Sequence, residues 1–240
     1  MSNFFKDSLK KMSDLNLVDF SKFSQRGIEK ESLRVNNSNI STSDHPEILG
    51  AALTNPYITT DFSEALLELI TAKASSVEKA LSDLKIILAY THQSIDDIVW
   101  PGSIPCAIKE ESDIRIAHYG NSNSGRLKEL YRIGLSYRYG SMMQCVSGIH
   151  YNFSLNEDFF KKWQGSPSDF RPFQDKKYLN LIRNFRKNAW LLLYLFGASP
   201  VVPKTFLTNR NNFLKPLNNE DLYLENATCL RMSELGYMSE

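Results

Sequence analysis

The chain has 240 residues, 42% of them hydrophobic and 23% charged, with a formal net charge of +1. That length allows one large domain or two small ones with a sizeable core, and the near-balanced charge excludes nucleic-acid binding driven by bulk electrostatics. Three widely spaced cysteines, Cys106, Cys145 and Cys229, form no CxxC pair, which argues against a disulfide framework or a cysteine–zinc site and for a reducing, cytoplasmic setting.

The first segment, MSNFFKDSLKKMSDLNLV, lacks the apolar run and cleavage site of a signal peptide. Phe5, Leu9, Met12 and Leu15 recur at the spacing of one helix face, which predicts an amphipathic helix within residues 1–19. GIEKESLRV, Gly27 to Val35, then reads as a strand. Side chains alternate across a strand, so Glu29 and Glu31 share a face, roughly 6.5–7 Å apart at their backbones. Leu33 and Val35 continue that face, while Ile28, Lys30, Ser32 and Arg34 take the other. Two carboxylates over an apolar floor repel each other unless a cation or a donor neutralises them. A solvated strand of mixed charges is the alternative. NNSN, between LRV and IST, predicts a hairpin. The polar segments 36–47, 156–177 and 208–221 are expected to be loops.

The stretch TTDFSEALLELIT, Thr59 to Thr71, has two readings. As a helix, Asp61 and Glu64 form a capping box and share a face with Glu68. As a strand from Ser63 onward, Glu64, Leu66, Glu68 and Ile70 share a face. Both readings put Glu68 inside an apolar run, where a carboxylate without a partner is costly. Farther on, Val77, Ala80, Leu81, Leu84, Ile87 and Leu88 predict a helix over about residues 76–96. YGNSNSGRLK is a small-residue loop, a weak candidate for holding an anion, and a helix carrying Leu127, Leu130, Tyr131 and Leu135 is expected after NSNSG.

SGIHYNFSL, Ser147 to Leu155, alternates cleanly: Ile149, Tyr151, Phe153 and Leu155 are apolar, and His150, Asn152 and Ser154 are polar. His45, His92 and His118 have no comparable setting and are read as surface or structural residues. A further helix is predicted over Tyr178 to Phe196, with Arg183, Arg186 and Lys187 as a solvated basic face. The run AWLLLYLFGASPVV is too short to span a membrane and is interrupted by Gly197 and Pro200, so it predicts a buried core helix ending at Gly197. Helices that do not alternate strictly with strands favour an α+β fold.

Taken together, the acids and His150 suit Mg²⁺-assisted phosphoryl transfer, where carboxylate oxygens hold a hard cation and catalysis is positioning and charge neutralisation. A two-metal hydrolase would fit the acids alone. The sequence contains no GxxxxGK(S/T) loop, no GxSxG elbow and no local cysteine–histidine pair.

On a longer scale, GIEKESLRV, HPEILGAALTNPYITTDFSEALLELIT, YGNSNSGRLKELYRIGLSYRYGSMMQCVSGIHYNFSL, YLFGASP and LRMSELGY, in this order, resemble the glutamate–cysteine ligases of the proteobacterial type. The resemblance runs from about residue 20 to the end. It implies a saddle-shaped, mostly antiparallel sheet with outer helices, similar to glutamine synthetase, and makes residues 20–240 the N-terminal part of the catalytic domain. It implies that ATP phosphorylates the side-chain carboxylate of glutamate. The amine of cysteine then displaces phosphate to give γ-glutamylcysteine, the first step of glutathione biosynthesis. Mg²⁺, or Mn²⁺ in its place, would bridge carboxylates and ATP phosphates. By the same resemblance Glu29, Glu31 and Glu68 carry metal with Asp61 beside them, and His150 sits at the metal and the transferred phosphoryl group. Tyr131, Gln144 and Tyr237 match residues around the cysteine substrate, and Phe62 and Leu135 add an apolar wall. Arg231 matches an arginine facing the substrates, a role suited to a guanidinium. No nucleic-acid or membrane partner is implied.

The family's enzymes are much longer, and a further metal-binding glutamate and an ATP-binding arginine lie beyond SELGYMSE. Two alternatives to a self-sufficient ligase follow. A second polypeptide supplies the remaining half, or the chain binds amino acid and metal without turnover. An exposed sheet edge is expected to make such a chain aggregation-prone or partner-dependent.

Overall fold

A computed structural model describes residues 3–106, 108–165, 170–207 and 213–233. Helix α1 (Asn3–Asp14) leads into β1 (Ser24–Asn36), the 13-residue strand around which the main sheet is built. The alternation expected of GIEKESLRV is present, with Leu33 and Val35 buried in the main core cluster. Chain reversal after β1 uses Asn37 (φ 47°) and Ser38 (φ 63°), both left-handed as a two-residue hairpin turn requires, and β2 (Asn39–Ile40) pairs back. The predicted hairpin is therefore present.

A second hairpin, β3 (Ile58–Thr60) and β4 (Leu66–Ile70), decides between the two readings of residues 59–71: the stretch is not helical, so no capping box forms. Glu64 lies in the tip of this hairpin, away from the acid-bearing face. Its buried carboxylate accepts the backbone N–H of His45 (2.9 Å) and of His118 (2.7 Å), which ties two loops together.

Ser76 caps α2 (Val77–Ser94) by accepting the Lys79 N–H, and Leu84, Ile87 and Leu88 pack over Leu49, Ile58, Leu67 and Leu69. Beyond it β5 (Ile98–Val99) pairs with the end of β1. Helix α3 (Asn123–Tyr139) starts inside NSNSG rather than after it, because Ser122 caps it by accepting the Gly125 N–H. A Cβ on Gly125 would lie 2.5 Å from the Tyr119 carbonyl oxygen and 2.7 Å from that of Gly120, so this turn closes only around glycine. Strand β6 (Ile149–Leu155) pairs with β1 over Ser24–Lys30, while β4 pairs over Glu29–Leu33. Every strand pair in the described residues is antiparallel.

Two expectations fail here. Residues 156–177 are not a loop: Asn156 accepts the Phe159 N–H and caps α4 (Glu157–Gln164). Phe159 and Phe160 on this helix then bury themselves against Leu17 and Phe23. Helix α5 (Phe170–Phe196) has the expected end but not the expected setting, since none of its residues is buried. Its basic residues Arg183, Arg186 and Lys187 are solvated as predicted, and most of its apolar ones are exposed too, while Phe170, Phe173 and Tyr178 pack against the cluster of Phe159 and Phe160. A smaller sheet of β7 (Val201–Pro203), β8 (Lys215–Pro216) and β9 (Asp221–Tyr223), in the order β7-β9-β8, follows with its own core around Val202, Phe206 and Leu224. The three cysteines are free and buried, and no helix of the described residues is long and apolar enough to cross a membrane.

Candidate active site

Strand register assembles the site. Glu31 stands directly opposite Glu68 across β1 and β4, and Glu29 stands directly opposite His150 across β1 and β6. Four side chains from three strands therefore project from one face of the sheet. Ligand atoms of Glu29, Glu68 and His150 all lie within 4.8 Å of one another. His150 Nδ1 is 3.3 Å from a Glu29 oxygen and its Nε2 is 3.8 Å from Glu31 Oε1. Asn152, next but one on β6, donates its amide to the other Glu29 oxygen at 2.8 Å.

Glu31 is the most buried of the four, 8% exposed. Its Oε2 accepts the Gly148 N–H at 2.6 Å, and its own N–H donates to the Gly148 carbonyl at 2.9 Å. Burial pushes its carboxyl above the usual range against the pull of that hydrogen bond, and Asp61 adds to the push. Glu68 rises to about 7, first through burial and then through Asp61, Glu29 and Glu31. His150 alone opposes these three acids at Glu68.

Asp61 occupies the tip of the β3–β4 hairpin. Its carboxyl is raised by burial and drawn back mainly by Arg132. Arg132 Nε on α3 also donates to the Asp61 carbonyl, and its guanidinium lies 4.7 Å over the ring of Tyr119. The Tyr119 hydroxyl in turn lies 2.7 Å from the Thr60 carbonyl oxygen and 3.0 Å from that of Asp61. Arg132 and Tyr119 thus fix the backbone that carries Asp61. A cluster rich in ionisable oxygens, partly buried and under-neutralised by cations, is a donor set that suits a hard divalent ion.

A model of the family described as glutamate-cysteine ligase matches residues 9–240. The chain belongs to the glutamate–cysteine ligase family. A glutamate–cysteine ligase of Janthinobacterium sp. (strain Marseille) is 46% identical over all of this chain and 46% of the relative. One from Azotobacter vinelandii is 49% identical over 88% of this chain and 41% of the relative. Among solved structures, the glutamate–cysteine ligase of Francisella tularensis in complex with AMP superposes with a TM-score of 0.79 at 45% identity, covering 89% of this chain and 43% of that one. A bifunctional glutathione synthetase from Pasteurella multocida gives 0.75 at 31% identity, over 97% of this chain and 29% of that one. This member of the glutamate–cysteine ligase family thus spans less than half the length of the relatives it matches.

The other residues singled out in this glutamate–cysteine ligase sequence fall into three groups. Phe62, 1% exposed, packs in the main core with Leu33, Val35 and Leu66, which continue the face that carries the acids, and Leu135 packs against that core. Tyr131 is 63% exposed on α3. Gln144 lies in the turn Met142–Cys145, and its amide nitrogen is buried with no hydrogen-bond partner in the described structure, a donor available to a ligand. Arg231 is exposed in the turn Leu230–Met232 beside the small sheet, and no hydrogen bond or ion pair given for the described residues joins it to the acids. Tyr237 lies outside the described residues. Sequence reasoning missed Gly148, Tyr119 and Arg132, whose roles run through backbone atoms and leave no periodic signal. Asn152 was visible as part of the polar face of its strand, though not as the partner of Glu29.

Proposed function

We propose that this chain carries the metal-binding site of an ATP-dependent ligase that joins the γ-carboxylate of L-glutamate to the amine of L-cysteine. The observation that carries this reading is the convergence of Glu29, Glu31, Glu68 and His150 from three strands, in a chain of the glutamate–cysteine ligase family. The named similarity to an AMP-bound relative supports a nucleotide co-substrate. The all-antiparallel main sheet supports the saddle-shaped, glutamine-synthetase-like architecture, with residues 20–240 as the N-terminal part of the catalytic domain. A cytoplasmic location fits these substrates and the three free thiols.

In this reading, a glutamate γ-carboxylate oxygen attacks the γ-phosphorus of ATP and ADP leaves. The neutral amine of cysteine then attacks the γ-carbonyl carbon and phosphate leaves, with one proton lost from nitrogen. Mg²⁺, or Mn²⁺, would be held by Glu29, Glu68 and His150, with Glu31 and Asp61 adjacent, and when bound it supplies charge neutralisation for phosphate oxygens. The protein's own part is positional. Asn152 and the His150 ring orient Glu29, and Gly148 N–H fixes one Glu31 oxygen so that the other faces the site. Arg132 holds the Asp61 tip. The orphaned Gln144 amide, with Tyr131 and Tyr237, would contact the cysteine substrate, Phe62 and Leu135 would back it, and Arg231 would meet a substrate carboxylate or phosphate.

The share of the relatives that is covered favours a second reading alongside: this chain binds metal and amino acid, and turnover requires a polypeptide equivalent to the remaining half. Product formation separates the two. The purified chain is incubated with glutamate, cysteine, ATP and Mg²⁺, and γ-glutamylcysteine is followed by mass spectrometry, with and without the second half of a relative. Product from the chain alone supports a sufficient site. Product only with the added half supports the divided one, and product in neither sinks the ligase reading.

A further inference from the structure

Asp61 is carried where the β3–β4 ladder ends. The last strand pair is Thr60 with Leu67, and beyond it the Asp61 N–H donates to the Leu66 carbonyl at 2.9 Å. The Asp61 carboxylate also stands among like charges, since it is one of the groups that push up both Glu31 and Glu68. A hairpin tip held by its ladder alone would swing such a carboxylate toward water and away from the other acids. This tip is instead fastened from outside the hairpin.

Residues 115–119 run alongside it. The Ala117 N–H donates to the Phe62 carbonyl (3.0 Å), the Glu64 N–H donates to the Arg115 carbonyl (2.9 Å), and Ser63 forms an antiparallel bridge with Ile116. Tyr119, 5% exposed, ends this segment. Its hydroxyl has one proton and faces two carbonyls, those of Thr60 and Asp61, while accepting the Thr60 hydroxyl proton at 3.1 Å. Two cations one turn apart on α3 lie over its ring, Lys128 Nζ at 5.0 Å and the Arg132 guanidinium at 4.7 Å. Arg132 donates from Nε to the Asp61 carbonyl and from Nη1 to the Lys128 carbonyl of its own helix (2.9 Å). One planar fork thus stacks on Tyr119 and ties α3 to the tip, which a lysine ammonium cannot reproduce.

We infer that Tyr119 and Arg132 are positioning residues for the divalent cation: they hold the Asp61 carboxylate beside Glu29, Glu68 and His150 against its repulsion from the other acids, and so raise the chain's metal affinity. The inference rests on the metal reading of that cluster. Its sign makes it specific. Arg132 is a cation close to a cation site, so its charge alone opposes metal binding, and removing that charge would by itself tighten the metal. Acting through the placement of Asp61, Arg132 has the reverse effect, and its removal loosens the metal. Support of this kind behind a ligating group is worth about 10–100-fold in affinity.

The test is Mn²⁺ titration of the full chain at pH 8, followed by electron paramagnetic resonance, in the parent and in Arg132→Gln, Arg132→Lys, Tyr119→Phe and Asp61→Asn. The first three substitutions are then repeated on Asp61→Asn, with the urea midpoint as the check on folding. Arg132→Gln, Arg132→Lys and Tyr119→Phe should each weaken Mn²⁺ binding about tenfold. Added to Asp61→Asn, where the carboxylate is already gone, each should weaken it by less than about twofold more. Tyr119→Phe changes no charge and keeps the ring, so it carries the test if loss of the guanidinium unfolds the chain. Unchanged or tighter binding in folded Arg132→Gln would overturn the inference. So would equal losses with and without the Asp61 carboxylate, which would make the pair a general support of the fold. A parent that binds no Mn²⁺ would overturn the metal reading and this inference together; a parent that binds it, with variants that bind it equally well, would overturn the inference alone.

Discussion

Glu31 and Gly148 form a closed pair in which backbone geometry sets the position of a charged oxygen. A Cβ at residue 148 would lie 2.9 Å from His150 Nε2 and 3.4 Å from Glu31 Oε2, so a methyl group there displaces the imidazole. Gly148→Ala is expected to weaken Mn²⁺ binding about 10–100-fold, the usual effect of disturbing a ligand's support. The urea midpoint should stay close to that of the parent. Unchanged Mn²⁺ affinity in a folded variant would show that His150 is free to move. Glu68 behaves differently, because its carboxyl is raised to about 7. A raised folded value means that the folded state holds the proton more tightly than the unfolded chain, whose glutamate titrates near 4.3. Folding stability therefore falls as pH rises between about 4.5 and 7, and the penalty is fully present above 7. Glu68→Gln should remove that slope and raise the melting temperature of the metal-free chain at pH 8 by ~2–4 °C, about 1 kcal/mol after discounting for solvent screening. A lower melting temperature would make Glu68 a structural carboxylate. Glu68 was suspicious in the sequence because an apolar run surrounded it; alternation put Glu29 and Glu31 on one face and His150 on a polar one, and only the family resemblance joined the three. Glu64 shared the same pattern yet faces two backbone donors, a difference that only the hairpin tip reveals.

At the level of elements, local chemistry explains most of what could be read. Ser76 and the apolar period of α2 specified that helix, and NNSN specified the first hairpin. Helix α4 was hidden because eight residues give barely two turns of periodicity, and its signal was a single cap, Asn156. The β1–β2 turn holds Ser38 at φ 63°, which favours glycine. Ser38→Gly should stabilise the chain by up to about 1 kcal/mol in urea unfolding, as the turn strain is relieved; destabilisation would mean that the added freedom of the unfolded chain outweighs it. Arg34, 1% exposed, is the opposite kind of element-joining residue. It pairs with Asp97 at 2.7 Å and donates to the carbonyls of Ser43, Asp44 and Glu64, so one side chain links β1 to three loops. Arg34→Met should cost about 3–5 kcal/mol by leaving Asp97 without its counter-charge, though still hydrogen-bonded by Asn36 and Ser41, and those carbonyls unpaired. A shift in the urea midpoint corresponding to less than about 1 kcal/mol would show that water replaces the guanidinium. The sequence offered no sign of this clamp, since Arg34 reads as an ordinary charge on the far face of a strand.

For the molecule as a whole, the division of labour follows from where the donors sit. Glu29, Glu31, Glu68 and His150 all lie on β1, β4 and β6, and every one of those strand pairings is internal to this chain. Alternation in the sequence could place side chains on faces, but it could not show which faces are covered, because that depends on packing between elements distant in sequence. The isolated chain is expected to bind Mn²⁺ through its own strands. Metal entry must displace the proton that Glu68 holds, and a group titrating at about 7 is mostly protonated at pH 6 and mostly ionised at pH 8. The Mn²⁺ affinity of the isolated chain should accordingly be about tenfold higher at pH 8 than at pH 6, and this difference should shrink in Glu68→Gln. Electron paramagnetic resonance titrations of both proteins at the two pH values check the expectation. Equal affinities at pH 6 and 8 in the parent chain would remove Glu68 from the metal's ligands, and no Mn²⁺ binding at all would mean that the strands alone do not make the site.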